Sequence, residues 1–366
     1  MVVQLVIKRQ AMKMSLINIA GRKIGKGQPV YIIAEISANH NQSYDEAVKL
    51  IHSAKEAGAD AVKLQTYTPD TITIDCKSEL FRIAKGTLWE GQFLYDLYGE
   101  AYTPWEWHAG LFEEARKRDM DIFSTAFDVS AVDFLEELSV PVHKIASFEI
   151  VDIPLIEKMA ATGRPLIIST GMATLGEIEE AVQAARGAGA EQIALLKCTS
   201  AYPAPAGEMN LRTIPHLAEA FAVPVGLSDH TLGAEVPVAA VSMGACIVEK
   251  HFTMSRSRSG PDSDFSLEPH EFAAMVRAVR VAEKALGKVH YGASEQEAKS
   301  RVFRKSLFIV EDVKEGEIFT HYNIRSIRPG YGLHPRHLKE VLGRRAASDL
   351  WKGTPLTMDM IAGEDA

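Results

Sequence analysis

The chain has 366 residues, a formal net charge of −8, and 46% hydrophobic and 24% charged residues. That balance is typical of a soluble globular protein and excludes a nucleic-acid surface, which needs a dense basic face. No apolar run approaches the roughly 20 residues that cross a bilayer. Three cysteines, Cys76, Cys198 and Cys246, lack disulfide-framework or zinc spacing and point to a reducing cytoplasm.

The first stretch, Val2-Val-Gln-Leu-Val-Ile, is too short for a span and lacks a signal-peptide cleavage pattern. Met12 and Met14 are alternative starts, and residues 1–14 are left unassigned. Ile17–Pro29 reads as a small hairpin turning at Arg22-Lys23, placed to plug the bottom of a barrel. Eight short apolar segments follow: Tyr31–Ser37, Ala61–Tyr67, Asp121–Phe127, His143–Glu149, Pro165–Gly171, Ile193–Ser200, Pro224–His230 and Cys246–Thr253. Between them, stretches such as Tyr44–Ala57 and Leu175–Ala188 carry apolar residues at helical spacing and end near glycine. Strand and helix alternating eight times is the pattern of an α/β protein with a (β/α)₈ TIM barrel. A doubly wound open sheet is the alternative, weakened because no Gly-x-Gly-x-x-Gly follows the first strand.

Two regions break the alternation. Thr68 to Thr103 has no clear period and contains Trp89-Glu-Gly-Gln-Phe-Leu-Tyr. Loops longer than about 12–15 residues tend to be functional lids, so it reads as a lid or as a packed surface excursion. After the last barrel helix, near Glu271–Leu286, residues 288–304 read as a polar linker. Residues 305–366, with Ser306-Leu-Phe-Ile-Val and Ile327-Arg-Pro-Gly-Tyr-Gly, read as a small turn-rich β domain that buries little core alone.

In this fold the active site lies at the carboxyl ends of the strands. Glu35, Lys63, Gln65, Ser124, Thr125, Lys144, Ser147, Glu149, Ser169, Thr170, Lys197, Thr199, Ser200, Ser228, His230, Glu249 and His251 all fall there. Buried charges must be paired or expelled, so a purely structural barrel end would carry few of these. A lone histidine at a strand end is usually a hydrogen-bonded loop residue. His230 and His251, ending two strands in matching settings, instead suggest a shared metal if the strands are adjacent. Period-two alternation puts Ser228 on the face of His230 and Glu249 on that of His251. Two imidazoles, with water and substrate oxygens completing an octahedron, suit Mn²⁺, with Mg²⁺ or Co²⁺ as alternatives, better than catalytic zinc. Lys63, Lys144 and Lys197 favour a highly anionic ligand, most simply a phosphate-bearing carboxylate, cradled by hydroxyls and loop amides.

These residues sit in stretches that resemble the sialic acid (nonulosonic acid) synthase family. The matching segments are Ala34-Glu-Ile-Ser-Ala-Asn-His-Asn41, Val62-Lys-Leu-Gln-Thr66, Ser124-Thr-Ala-Phe-Asp128 and Lys144-Ile-Ala-Ser-Phe-Glu149. They continue through Ser169-Thr-Gly-Met172, Cys198-Thr-Ser-Ala-Tyr-Pro203, Leu227-Ser-Asp-His-Thr231, Glu249-Lys-His-Phe252 and Gly260-Pro-Asp262. The resemblance runs from about residue 17 to the end, the last unit being similar to that family's antifreeze-like (SAF) domain. It implies a metal-dependent condensation of phosphoenolpyruvate with an amino-sugar aldehyde. His230 and His251 would be the metal ligands. Lys144, Thr125, Ser147, Ser169, Ser200 and Ser228 would hold phosphoenolpyruvate, with Lys63 and Gln65 nearby. Glu35, Glu149 and Glu249 would serve as acid–base and sugar-hydroxyl carboxylates, with Tyr202 and Asp262 on the sugar side. Ser200 departs from the asparagine usual in the neuraminate-making branch. Ser263 likewise replaces the histidine common there.

Tyr95-Asp-Leu-Tyr, Ala101–His108 and Gly260–Pro269 look most like the pseudaminic branch of that family, which acts on 2,4-diacetamido-2,4,6-trideoxy-L-altrose for bacterial surface glycans or flagellin. The neuraminate and legionaminic branches are the nearer alternatives. The resemblance also implies a swapped homodimer in which Arg328 reaches the sugar in the partner's barrel. Two rival readings use other chemistry. One is a pyruvate aldolase with a Schiff base on Lys197 in the sixth strand. The other is a non-catalytic sugar-binding protein, disfavoured by the density of ionisable groups.

Overall fold

The computed structural model describes residues 16–258 and 260–363; the unassigned residues 1–14 lie outside them. The chain divides after Gly287 into two compact units.

The first unit is a closed barrel of eight parallel strands. They are β1 (Tyr31–Glu35), β2 (Ala61–Thr66), β3 (Asp121–Ala126), β4 (His143–Ile145), β5 (Leu166–Ser169), β6 (Ile193–Cys198), β7 (Val225–Asp229) and β8 (Ile247–His251). Each pairs with its neighbour in sequence, and β8 closes on β1 with His251 opposite Glu35. All eight expected strands form, each one to four residues shorter than its apolar run. β4 shows why: at Ile145 the chain leaves the sheet and turns through a 3₁₀ segment at Glu149–Val151. The helices begin where capping residues allow. Ser43 accepts the amide of Glu46 at the start of Tyr44–Glu56, and Thr174 and Glu177 form a reciprocal capping box at Leu175–Gly187.

Alternation sends Ile32, Val62, Leu64, Ile122, Ile168, Leu195, Leu227 and Val248 outward against the helices, where they join one large core. The opposite set, Tyr31, Ile33, Ala61, Phe123, Ile167, Ala194, Leu196 and Ile247, fills the barrel's lower interior. Ile17, Ile19 and Ile24 of the N-terminal hairpin belong to that same interior cluster, so the hairpin plugs the barrel's bottom. Its turn lies at Ala20-Gly21, both with positive φ, and not at Arg22-Lys23, which are strand residues paired to Asn18 and Ile19. A two-residue hairpin loop needs left-handed backbone at its centre, which glycine supplies and arginine resists. Asp60 fastens this end, accepting from Ile32 N (2.9 Å), Arg280 (2.8 Å) and Arg22 (2.5 Å).

The β2-to-β3 connection is ordered by short helices, Pro69–Ile72 and Leu94–Ala101, with Arg82 and Phe93 bridged between them. Leu94–Ala101 was not anticipated, because eight residues with only Leu97 and Ala101 fully buried display little period. The second unit holds a two-stranded antiparallel sheet, β9 (Ser306–Ile309) with β10 (Ile324–Ile327). Its own small core includes Leu307, Ile309, Val313, Phe319, Ile324 and Leu356. Residues 288–304, expected as a bare linker, carry a helical turn at Glu295–Ala298 and a 3₁₀ turn at Lys299–Phe303.

Candidate active site

Above the apolar layers the interior positions become polar. Glu35 follows Ile33, Lys63 follows Ala61, Thr125 follows Phe123, Ser169 follows Ile167, Ser228 follows Gly226 and Glu249 follows Ile247. These residues, with Gln65, Lys144, Ser147, Cys198, Tyr202, His230 and His251, line a cavity of ≈ 60 Å³. It opens toward a larger one of ≈ 380 Å³ that shares Gln65, Ser147, Tyr202 and His251.

Lys63 is held by carboxylates on both sides, 2.7 Å from Glu35 Oε2 and 3.1 Å from Glu249 Oε1, and donates to Thr125 Oγ1 at 3.2 Å. Ser37 N donates to Glu35 Oε1 (2.8 Å) and Ser228 Oγ to Glu249 Oε1 (3.1 Å). Two buried carboxylates around one ammonium cannot share its charge equally. Burial, opposed by Lys63 and reinforced by Glu249, pushes Glu35 up to about 7. Glu249 is shifted the other way; burial raises it, but Lys63 and Lys144 outweigh that and keep it ionised. Lys63 therefore neutralises the two carboxylates and is not free to hold an anion.

Lys144 differs. It is 1% exposed, donates to Ser169 Oγ (2.6 Å) and Ile145 O (2.8 Å), and forms no ion pair among the described residues. Burial, partly offset by Glu249, lowers its pKa to about 8. Ser147, Thr125 and Ser228 line the same cavity. Ser200 stands just behind, donating to Ser147 Oγ at 2.8 Å. An unpaired ammonium among hydroxyls is what a phosphate site requires.

β7 and β8 are adjacent, with Ser228 opposite Glu249. The rings of His230 and His251 lie 5.3 Å apart by centroid. His230 Nδ1 is 2.9 Å from Thr199 O, which must accept, so Nδ1 carries a proton; burial lowers this imidazole's pKa, but the Cys198 thiol beside it outweighs that and raises it. His251 Nδ1 is buried without a partner, and burial holds this imidazole neutral, its pKa well below the usual value. A neutral His251 with an unpartnered nitrogen, beside His230, fits a divalent ion in donor type. Among the described residues no third His, Cys, Asp or Glu completes a ligand cluster with them.

The larger cavity is walled by Tyr67, Ile83, Trp89, Leu97, Tyr98 and Phe127, with Glu149 and Asp262 among its polar groups. Trp89, in the long connection, donates to Pro261 O (2.9 Å) and packs on Tyr202, whose ring lies 4.4 Å from that of His230. Glu149 is pushed up to about 7 by burial and leaves its Oε2 without a partner. Asp262 accepts from Ser37 Oγ and Ala38 N.

Four residues read as site groups fall elsewhere. Ser124 faces outward, bonded to Thr66 (2.6 Å), which in turn meets His108 (2.8 Å). Thr170 bonds back to Leu196 O, while Lys197 and Thr199 bond to each other outside the barrel's interior cavity. Among the described residues the interior lysines therefore number two, Lys63 and Lys144, and a Schiff base on Lys197 would form away from this cavity. Arg328 lies exposed in the second unit, beside a turn held where Ser306 Oγ donates to Pro329 O (2.7 Å). The reading missed Cys198, Phe265 and Ser37. Cys198 shares the inward parity of Ala194 and Leu196. Burial opposes its ionisation, but a bond to His230 outweighs that and lowers the thiol. Phe265 packs against both His230 and His251 and gave no periodic signal.

The barrel's lower interior is packed with apolar side chains, and its upper end carries an unpaired ammonium among hydroxyls beside a carboxylate–lysine–carboxylate cluster. The chain belongs to the NeuB family, the sialic acid synthases, which it matches over residues 50–291, and residues 304–362 match the SAF domain. It is 47% identical over 335 residues to the pseudaminic acid synthase of Helicobacter pylori, covering 91% of this chain and 98% of that one. Identity to the N,N'-diacetyllegionaminic acid synthase of Campylobacter jejuni is 39%, over 87% of this chain and 96% of that one. The crystal structure of the Bacillus subtilis spore coat polysaccharide biosynthesis protein SpsE superposes with a TM-score of 0.65 at 35% identity, covering 96% and 100% of the two chains.

Proposed function

We propose that this protein joins phosphoenolpyruvate to 2,4-diacetamido-2,4,6-trideoxy-L-altrose and, with water, gives pseudaminic acid and phosphate. The observation that carries the reading is Lys144, a buried ammonium with no carboxylate partner, facing hydroxyls beside the Glu35–Lys63–Glu249 cluster. Lys144 with Ser169, Ser147 and Thr125 holds the phosphate. C3 of phosphoenolpyruvate attacks the sugar aldehyde carbon, forming the new carbon–carbon bond while the aldehyde oxygen takes a proton. Water adds at C2, and the tetrahedral centre releases phosphate by carbon–oxygen cleavage. Glu35, near 7, is poised to move these protons, because a group that titrates near neutrality both gives and takes them readily. The apolar wall of Tyr67, Ile83, Trp89 and Leu97 suits a sugar with methyl and acetamido groups in place of hydroxyls.

His230 Nε2 and His251 would hold a divalent ion, Mn²⁺ or a similar one, which when bound polarises a carbonyl or lowers the pKa of water. We infer a homodimer in which the exposed Arg328 completes the sugar site of the partner, and activity in the cytoplasm. Three free cysteines and the lack, among the described residues, of a helix long and apolar enough to cross a membrane support that location. Product mass after incubation with phosphoenolpyruvate and a panel of 2-acetamido sugars tests the reading. A nonulosonic acid from the altrose derivative, with one phosphate released per product, is expected. Preference for the legionaminic or neuraminic precursor would overturn the substrate assignment. Pyruvate uptake trapped by borohydride would overturn the mechanism.

A further inference from the structure

Among the described residues, the barrel unit holds four lysines that are nine-tenths buried or more: Lys63, Lys144, Lys197 and Lys250. Two are neutralised by carboxylates. Lys63 sits between Glu35 and Glu249, and Lys250 is 2.5 Å from Asp229. Lys144 has no carboxylate and faces the phosphate pocket. Lys197 has none either, bonding only to Cys198 O (2.5 Å) and Thr199 Oγ1 (3.2 Å), and it faces a different cavity. A buried ammonium without an opposing charge is costly and is stabilised by capturing an anion.

That cavity, ≈ 750 Å³, lies on the outer face of β5 and β6 and is lined by Thr170, Lys197, Asn210, Arg212, Thr213 and His216 among others. No acidic residue lines it. Arg212 and His216 are exposed, and neither enters an ion pair among the described residues. The helix Thr213–Phe221 starts at its rim with no acidic residue in its first turn; its first two amides donate to Asn210 O and Leu211 O and its third residue is Pro215, so it contributes only its dipole beside the buried lysine.

We propose that this cavity is a second binding site, for a small phosphate-class oxyanion, on the opposite face of the strands that carry Ser169 and Cys198. Lys197 supplies the buried charge, Arg212 the exposed one, and Thr213 a hydroxyl. Anion binding here is connected to the interior through Thr199, whose hydroxyl meets Lys197 and whose carbonyl holds His230. The expected stoichiometry of two rests on the proposed phosphate site at Lys144, but the Lys197-dependent phosphate is read separately from it and without turnover.

Equilibrium dialysis of the full-length protein against radiolabelled orthophosphate provides the test. Two phosphates per chain are expected in the wild type. Lys144→Met should lose one and Lys197→Met the other, each by at least tenfold in affinity, and the double variant both. Arg212→Ala, at an exposed position that does not threaten folding, should weaken the Lys197-dependent site several-fold and spare the Lys144-dependent one. Lys197→Arg should restore most of it. A single phosphate per chain that Lys144→Met abolishes and Lys197→Met leaves intact would overturn the proposal. So would a second site indifferent to both Lys197→Met and Arg212→Ala.

Discussion

Replacing Lys144 by methionine keeps most of the side-chain volume and removes the charge, and it should move stability and function in opposite directions. Depression of the ammonium from 10.5 to about 8 corresponds to roughly 3 kcal/mol of cost for keeping it charged near neutrality. The substitution also forfeits hydrogen bonds to Ser169 and Ile145 O, at about 1 kcal/mol each. The net is a ligand-free protein stabler by about 1 kcal/mol, a rise of roughly 1–2 °C in Tm for a chain of this size. Loss of a charge-assisted bond to phosphate costs about 1.5–3 kcal/mol, so KM for phosphoenolpyruvate should rise about ten- to a hundredfold while KM for the sugar changes little. The sign with pH is fixed as well. Lys144 has a folded pKa below its unfolded value, so its destabilising effect is full below about 8 and disappears as pH climbs toward 10.5. In the wild type, kcat/KM for phosphoenolpyruvate should therefore fall above pH 8, and this limb should be missing in the variant. Scanning calorimetry and initial rates from pH 6.5 to 9.5 measure both. A lower Tm together with an unchanged KM for phosphoenolpyruvate would refute the reasoning and make Lys144 a structural residue.

Chelation should abolish turnover and Mn²⁺ restore it, with His230→Ala and His251→Ala each inactive but melting near the wild-type temperature; full activity of metal-free protein would remove the metal from the site. Gly226→Ala should cost about 1–3 kcal/mol or more, since an added Cβ would come within 2.6 Å of Ile247 Cβ and its carbonyl oxygen and 2.7 Å of Leu196; an unchanged melting curve would contradict that packing. Mixing Glu35→Gln with Arg328→Ala after dissociation should regain about a quarter of wild-type activity, because random pairing gives about half mixed dimers with one intact site each. A dead mixture despite proven subunit exchange would place Arg328 in its own chain's site.

The barrel was legible because burial on both faces leaves continuous apolar runs, and eight such runs alternate with helical spacing. The same property hid the orientation of Lys197. Ile193, Ala194, Leu195 and Leu196 are all buried, so β6 gives no polar face from which to count, and Lys197 reads as equivalent to Lys63 when it points the other way. β2 has the same apolar start, but Lys63 and Gln65 share one parity and revealed theirs. His230 and His251 could be paired because each ends a strand two residues beyond an inward side chain, Ser228 and Glu249. The contributions of Trp89 and Phe265 could not be read, since they come from loops whose path is set by contacts distant in sequence, Trp89 with Pro261 and Phe265 with Tyr202.

The hairpin plug makes the barrel a vessel sealed at one end. The small cavity at the strand ends adjoins the larger, aromatic-walled one, and the two share Gln65, Ser147, Tyr202 and His251. A three-carbon acid seated in the smaller cavity would lie beneath a sugar held in the larger one. Isoleucines at positions 17, 19 and 24 close the bottom of that vessel together with Tyr31, Phe123 and Leu196, whose side chains fill the interior above them.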